Sequence, residues 1–108
     1  MSVNRVEVEG QIIHIIHGSH TSSAHIYIAH THPNEENLYP WQKSQSYFRL
    51  TFRHPLAKKV LKEIDTGKTI HAKGFLVGQP EDLNDPTGKA AIWINVHEYE
   101  VATPKDTA

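Results

Sequence analysis

The sequence predicts an all-β fold: a five-stranded barrel with one α-helix between the third and fourth strands. Three observations predict it. Apolar residues alternate with period two in five stretches, and recur every four residues in one. The first and fourth stretches are long, and each holds an internal glycine, as a small barrel requires where a strand turns a corner. The single helical stretch falls between the third and fourth. An open α+β sheet of the same element order is the rival arrangement.

The elements follow in order. Residues 3–9 alternate, with Arg5, Glu7 and Glu9 on one side and Val6 and Val8 on the other. Gly10 interrupts them, which predicts a bulge or sharp bend. Ile12, Ile13, Ile15 and Ile16 then resume around His14. Residues 18–23 are a turn by composition. From Ala24 to His30, Ala24, Ile26 and Ile28 oppose His25, Tyr27 and Ala29. Residues 31–43 form a polar loop with Pro33, Asn34, Asn37 and Pro40. The third strand, Ser46 to Arg53, sets Phe48, Leu50 and Phe52 against Tyr47, Arg49, Thr51 and Arg53. Pro55 suits a first helical turn. Leu56, Val60 and Ile64, joined by Ala57 and Leu61, make an apolar stripe, with Lys58, Lys59, Lys62 and Glu63 toward solvent. Asp65-Thr66-Gly67 stops the helix. The fourth strand, Lys68 to Gln79, sets Ile70, Ala72, Gly74 and Leu76 against His71, Lys73, Phe75 and Val77. Residues 80–89 are a polar loop. The fifth strand, Ala90 to Val101, sets Ile92, Ile94 and Val96 against Trp93, Asn95 and His97.

A chain of 108 residues is the length of one domain, here expected over 1–102 with a short disordered C-terminal end at 103–108. With no cysteine there is no disulfide framework, thiolate zinc site or cysteine nucleophile. No apolar run approaches a membrane span, and MSVNRVEVEG does not read as a signal peptide, so a cytoplasmic protein without a membrane partner is expected. Eleven Lys and Arg against twelve Asp and Glu leave −1, which does not announce a nucleic-acid binder. Nine histidines, if all protonated, add nine charges and give +8, so the surface charge is expected to vary near neutral pH.

Five curved strands with a helix after the third match the oligonucleotide/oligosaccharide-binding barrel, the OB-fold. Asn4-Arg5-Val6-x-Val8-x-Gly10 resembles the opening of bacterial single-stranded DNA-binding proteins. Tyr47-Phe48-Arg49-Leu50 resembles their third strand. Leu56-Ala57, Leu61, Gly67-Lys68 and Ile70-x-Ala72-x-Gly74-x-Leu76 resemble their helix, turn and fourth strand. The resemblance covers about residues 3–101, and the chain is similarly close to the primosomal replication protein PriB. It implies single-stranded DNA as partner, assembly as a homodimer or homotetramer, and a role in replication, recombination or repair alongside proteins of those processes. The chain departs from the family in two places: residues 31–43 have no close counterpart, and residues 101–108 carry no acidic, hydrophobic tip, so tail-mediated recruitment is not implied.

Single-strand binding needs flat rings for bases and cations for phosphates. Tyr47 and Arg49 are the leading candidates, because the resemblance puts them on the DNA-facing strand. Arg53 on the same strand, Lys73 and Phe75 on the fourth, Trp93 on the fifth and Tyr27 on the second join them, with Tyr39, Trp41 and Lys43 from the loop. Arg49, Arg53 and Lys73 are expected to share one sheet face. Each has a plainer reading. Tyr39 and Trp41 can anchor the loop, Phe75 and Trp93 can form a subunit interface, Tyr27 can cap the core, and Arg53 and Lys73 can be solvated charges. The first strand, aliphatic on both faces after Gly10, is the favoured edge for pairing between subunits.

Neither metal, cofactor nor catalysis is expected. His30-x-His32 and the histidines at 14, 17, 20 and 25 lack a zinc spacing. Glu35-Glu36, Glu81-Asp82 and Asp85 sit in loops without a nucleophile, phosphate-cradling loop or carboxylate cluster. The competing functional classes are a PriB-like protein-interaction module and an RNA-binding OB module.

Overall fold

The computed structural model describes residues 3–18, 23–31 and 45–102. Five strands, β1 (Val6–His17), β2 (Ser23–Thr31), β3 (Gln45–Arg53), β4 (Thr69–Pro80) and β5 (Ala90–Ala102), close into a barrel in the order β1-β2-β3-β5-β4. Helix α1 (Leu56–Glu63) lies between β3 and β4. The five-stranded barrel with its single helix is that of the OB-fold. All strand pairs are antiparallel except β3 with β5, which run parallel through Leu50 beside Ile94 and Thr51 beside Asn95. The expected C-terminal end at 103–108 lies outside the described residues.

Alternation becomes an inside and an outside. Ala24, Ile26 and Ile28 of β2, Leu50 and Phe52 of β3, and Ile70 and Ala72 of β4 are fully buried. Each buried Ile, Leu or Phe side chain contributes roughly 1.5–3 kcal/mol. Helix α1 buries Ala57 and Val60 in the same core and packs against β2 and β3, which closes that end of the barrel. It stops where Ile64 turns extended and Gly67 takes φ +94°. The Gly67 N–H donates to the Ile12 carbonyl at 2.8 Å, and Lys68 Nζ donates to the Glu63 carbonyl at 3.1 Å, so the turn is tied to both β1 and the helix end.

Three expectations are corrected. The irregularity in β1 falls between Ile12 and His14 rather than at Gly10. Gly10 is instead a point of close approach, where a Cβ would lie 2.6 Å from the Ala29 carbonyl oxygen. In β4 the register shifts between Lys73 and Gly74, opposite an extra β5 residue, His97. Leu76 and Ile92 continue the inward alternation but are 47% and 65% exposed. The β4–β5 hairpin runs on past its pairing with β1 and β3 there, and among the described residues no facing strand covers its inner side chains. Finally, Lys73 does not share the surface of Arg49. It sits between Glu7 of β1 and Glu98 of β5, with its ammonium 3.4 Å from Glu98 Oε2.

Candidate nucleic-acid interface

The outer surface of the barrel divides by charge. β2, β3 and the Ala90–Val96 part of β5 contain no acidic residue, while β3 supplies Arg49 and Arg53. The β1–β4–β5 surface carries the carboxylates. There the register sets Glu7, Lys73 and Glu98 in one cross-strand row and Glu9, His71 and Glu100 in the next. His71 Nε2 bonds Glu7, and its Nδ1 lies 3.5 Å from Glu9 Oε2. The Glu7 hydrogen bond, aided by Glu9 and opposed by partial burial, raises the His71 pKa above its ordinary value. Among the described strands the carboxylates and the acid-free segments thus lie on different parts of the barrel.

On the acid-free surface the cross-strand register builds rows. One runs His14, Tyr27 and Arg49 from β1 to β3, and Trp93 of β5 joins it through its contact with Arg49. The His14 and Tyr27 ring centroids are 6.1 Å apart. The Arg49 guanidinium lies over the Trp93 ring, 4.8 Å from its centroid. Trp93 Nε1–H donates to Asn95 Oδ1 at 2.8 Å, which fixes the indole plane. The next row is His25, Thr51, Asn95 and Phe75. His25 Nδ1 and Thr51 Oγ1 share a hydrogen bond of 3.2 Å. Burial, and then the Arg49 charge, lower the His25 pKa. Arg49 Nε is buried and has no hydrogen-bond partner.

Tyr47 stands one row further along β3, opposite Ala29, and is 63% exposed. The small neighbour leaves its ring open, and its hydroxyl donates to Gln45 Oε1 at 3.2 Å. Arg53 is exposed at the far end of β3, opposite Ser23. The structure therefore brings Tyr27, Tyr47, Arg49, Arg53, Phe75 and Trp93 onto one continuous surface and puts Lys73 on the acidic one. Tyr39, Trp41 and Lys43 lie outside the described residues.

Sequence reasoning missed His14, His25 and Asn95 as members of this surface. Alternation showed that they face outward. Their neighbours depend on the pairing of β1 with β2 and on the parallel seam between β3 and β5, for which the sequence carries no local signal. An open groove of about 510 Å³ lies elsewhere, floored by Val6, Val8, Phe48, Leu76 and Ile94. Among the described residues no group of three His, Asp or Glu is placed to hold a metal ion, and no helix is long and apolar enough to cross a membrane.

The barrel and this surface define an OB-fold protein. No family model and no curated relative matches the sequence. Solved structures do. The chain is similar to a small single-stranded DNA-binding protein from Mycoplasma pneumoniae, with 19% identity, TM-score 0.63 and 96% of each chain covered. It is also similar to the Plasmodium falciparum SSB in complex with single-stranded DNA, with 12% identity, TM-score 0.65, and 95% of this chain and 96% of that one covered. At these identities the likeness concerns the fold.

Proposed function

We propose that this protein binds single-stranded DNA, largely without sequence preference, on the β2–β3–β5 surface. The observation that carries the reading is the open Tyr47 ring beside Arg49, with Arg53 further along the same face of β3, on strands that hold no carboxylate. The similarity over nearly the whole chain to two single-stranded DNA-binding proteins supports it. Stacking is sequence-tolerant because every base has a π-face, and arginines take the phosphates. Tyr47 and Tyr27 serve as ring surfaces, Arg49 and Arg53 as phosphate anchors, and Phe75 and Trp93 extend the strip toward the hairpin. Tyr39, Trp41 and Lys43 belong to the same proposal as the aromatic and basic residues of the 31–43 loop. Lys73 is the weakest member, since Glu98 already neutralises it.

The role is non-enzymatic, in the cytoplasm, in replication, recombination or repair. One barrel spans few nucleotides, so assembly as a homodimer or homotetramer belongs to the reading. β1 supports that assembly. Its residues 6–11 pair with β4 and its residues 11–17 with β2. Among the described residues the opposite edge of each half has no strand partner.

The test is titration with oligo-dT at several salt concentrations, followed by intrinsic fluorescence and a filter or mobility assay. Log affinity should fall linearly with log salt, by about 0.7 per phosphate contacted on a single strand. Absence of binding at low salt overturns the proposal and leaves the protein-interaction module standing. Equal-length RNA competing better than DNA moves the reading to an RNA-binding OB module.

A further inference from the structure

We infer that Trp93 is a positioning residue for Arg49: the indole holds the guanidinium flat on the sheet as a phosphate anchor and does not itself stack on a base. The inference rests on the reading of the β2–β3–β5 surface as a single-stranded DNA interface.

Four features of the structure carry it. The Arg49 guanidinium already lies over the Trp93 ring at 4.8 Å, on the surface where a base would have to stack. The Trp93 ring is held from its edge, through Nε1–H to Asn95 Oδ1 at 2.8 Å, and so cannot swing away without breaking that bond. The parallel register beside them, Leu50 with Ile94 and Thr51 with Asn95, fixes the two backbones that bear the pair. Among the described residues Arg49 also has no ion-pair partner. Its Nε is buried without a partner, and neither β2, β3 nor the Ala90–Val96 part of β5 offers a carboxylate.

A guanidinium is planar, stacks on aromatic faces and presents its donors in a rigid fork that matches phosphate oxygens. With one face on the indole and Nε turned into the protein, the terminal NH2 groups are the donors left for an anion. Stacking also removes the rotamer freedom that a long side chain otherwise loses on binding. Trp93 therefore acts on affinity through Arg49, and the two residues form one unit.

The role has a signature that base stacking lacks. If Trp93 works through Arg49, Trp93→Leu should weaken oligo-dT binding and also flatten the log–log salt dependence by roughly the 0.7 that one single-strand phosphate contributes. In an Arg49→Gln background the same change should have no further effect on either quantity. Trp93→Phe, which keeps a ring under the guanidinium, should keep the wild-type slope. A base-stacking Trp93 would give the opposite pattern: lower affinity at an unchanged slope, additive with Arg49→Gln, and that result overturns the inference.

A second measurement covers the case in which Trp93→Leu does not fold. In Trp41→Phe protein, Trp93 is the one remaining indole of the two in the chain. Saturation with oligo-dT should then leave most of its fluorescence, because the ring is covered by Arg49. Quenching of most of the signal at saturation overturns the inference. Failure of the underlying reading is separately recognisable, since wild-type protein would then not bind oligo-dT at all.

Discussion

Phe52 and Tyr99 meet edge to face, 5.6 Å between ring centroids, and the Tyr99 hydroxyl donates to Glu63 Oε1 at 3.0 Å. One side chain on β5 thus joins the barrel core to the last turn of α1. Lys59 adds its ammonium over the same ring at 5.7 Å. Edge-to-face packing satisfies the ring quadrupoles, and the hydroxyl reaches the wet edge.

Tyr99 should control alkaline stability. Burial, and then the Glu63 carboxylate, push its pKa up to about 12. The fold favours the neutral phenol, so this contribution is complete below the ordinary tyrosine value near 10 and is lost as pH rises through about 12. Tyr99→Phe keeps the ring contact and removes the hydroxyl. It should cost about 1 kcal/mol at neutral pH, reduced by the partial exposure of the bond. Urea midpoints from pH 7 to 12 should show the variant losing less stability than the wild type on the alkaline limb.

Tyr47 should matter for binding and little for folding. Its ring is 63% exposed and opposite only Ala29. Tyr47→Ala should weaken oligo-dT binding by about 1–3 kcal/mol, roughly 5- to 150-fold, with an unchanged melting temperature and an unchanged salt slope. Arg53→Gln should do the reverse on the slope, reducing it by about 0.7. Parallel titrations at three salt concentrations check both.

Two glycines should respond differently to the same methyl group. Gly67 has φ +94° and open space where a Cβ would stand, so Gly67→Ala should cost only the left-handed backbone penalty of about 1–2 kcal/mol. At Gly74 a Cβ would collide with the Asn95 carbonyl oxygen. Backbone cannot yield there without moving the β4–β5 register, so Gly74→Ala should cost more and should also disturb the Asn95–Trp93 hydrogen bond. Chemical denaturation of the two variants orders them, and indole fluorescence of Gly74→Ala reports the second effect.

His71 and His25 should give opposite pH dependences. The raised pKa of His71 means that its bonds to Glu7 and Glu9 stabilise β1 on β4 below about pH 6.5, and that this is lost as pH rises through the folded value. The lowered pKa of His25 means that its contribution is present above about pH 6.5 and is lost as pH falls through the folded value. Histidine titration by NMR should place His71 above and His25 below the unperturbed midpoint. In His71→Gln the loss of stability on raising the pH from 6 to 8 should shrink. If that loss stays the same, the clamp contributes nothing.

What the sequence determined by itself was which residues face in and which face out. Ala24, Ile26 and Ile28 against His25 and Tyr27, or Leu50 and Phe52 against Arg49 and Arg53, are legible because a strand has a strict period of two and one face must leave water. The helix was legible for the same reason at its own period, with Gly67 marking its end. Tertiary structure alone decided who meets whom. Lys73 alternates outward as Arg49 does, yet strand order puts it between Glu7 and Glu98. Arg49 and Trp93 are far apart in the chain and meet only because β3 and β5 pair in parallel. Leu76 and Ile92 carry the inward pattern and still see solvent, because the hairpin runs on past its pairing with β1 and β3. Side-chain alternation is a local property of the backbone, whereas the neighbours, charges and open rings of the surface depend on how the sheet closes.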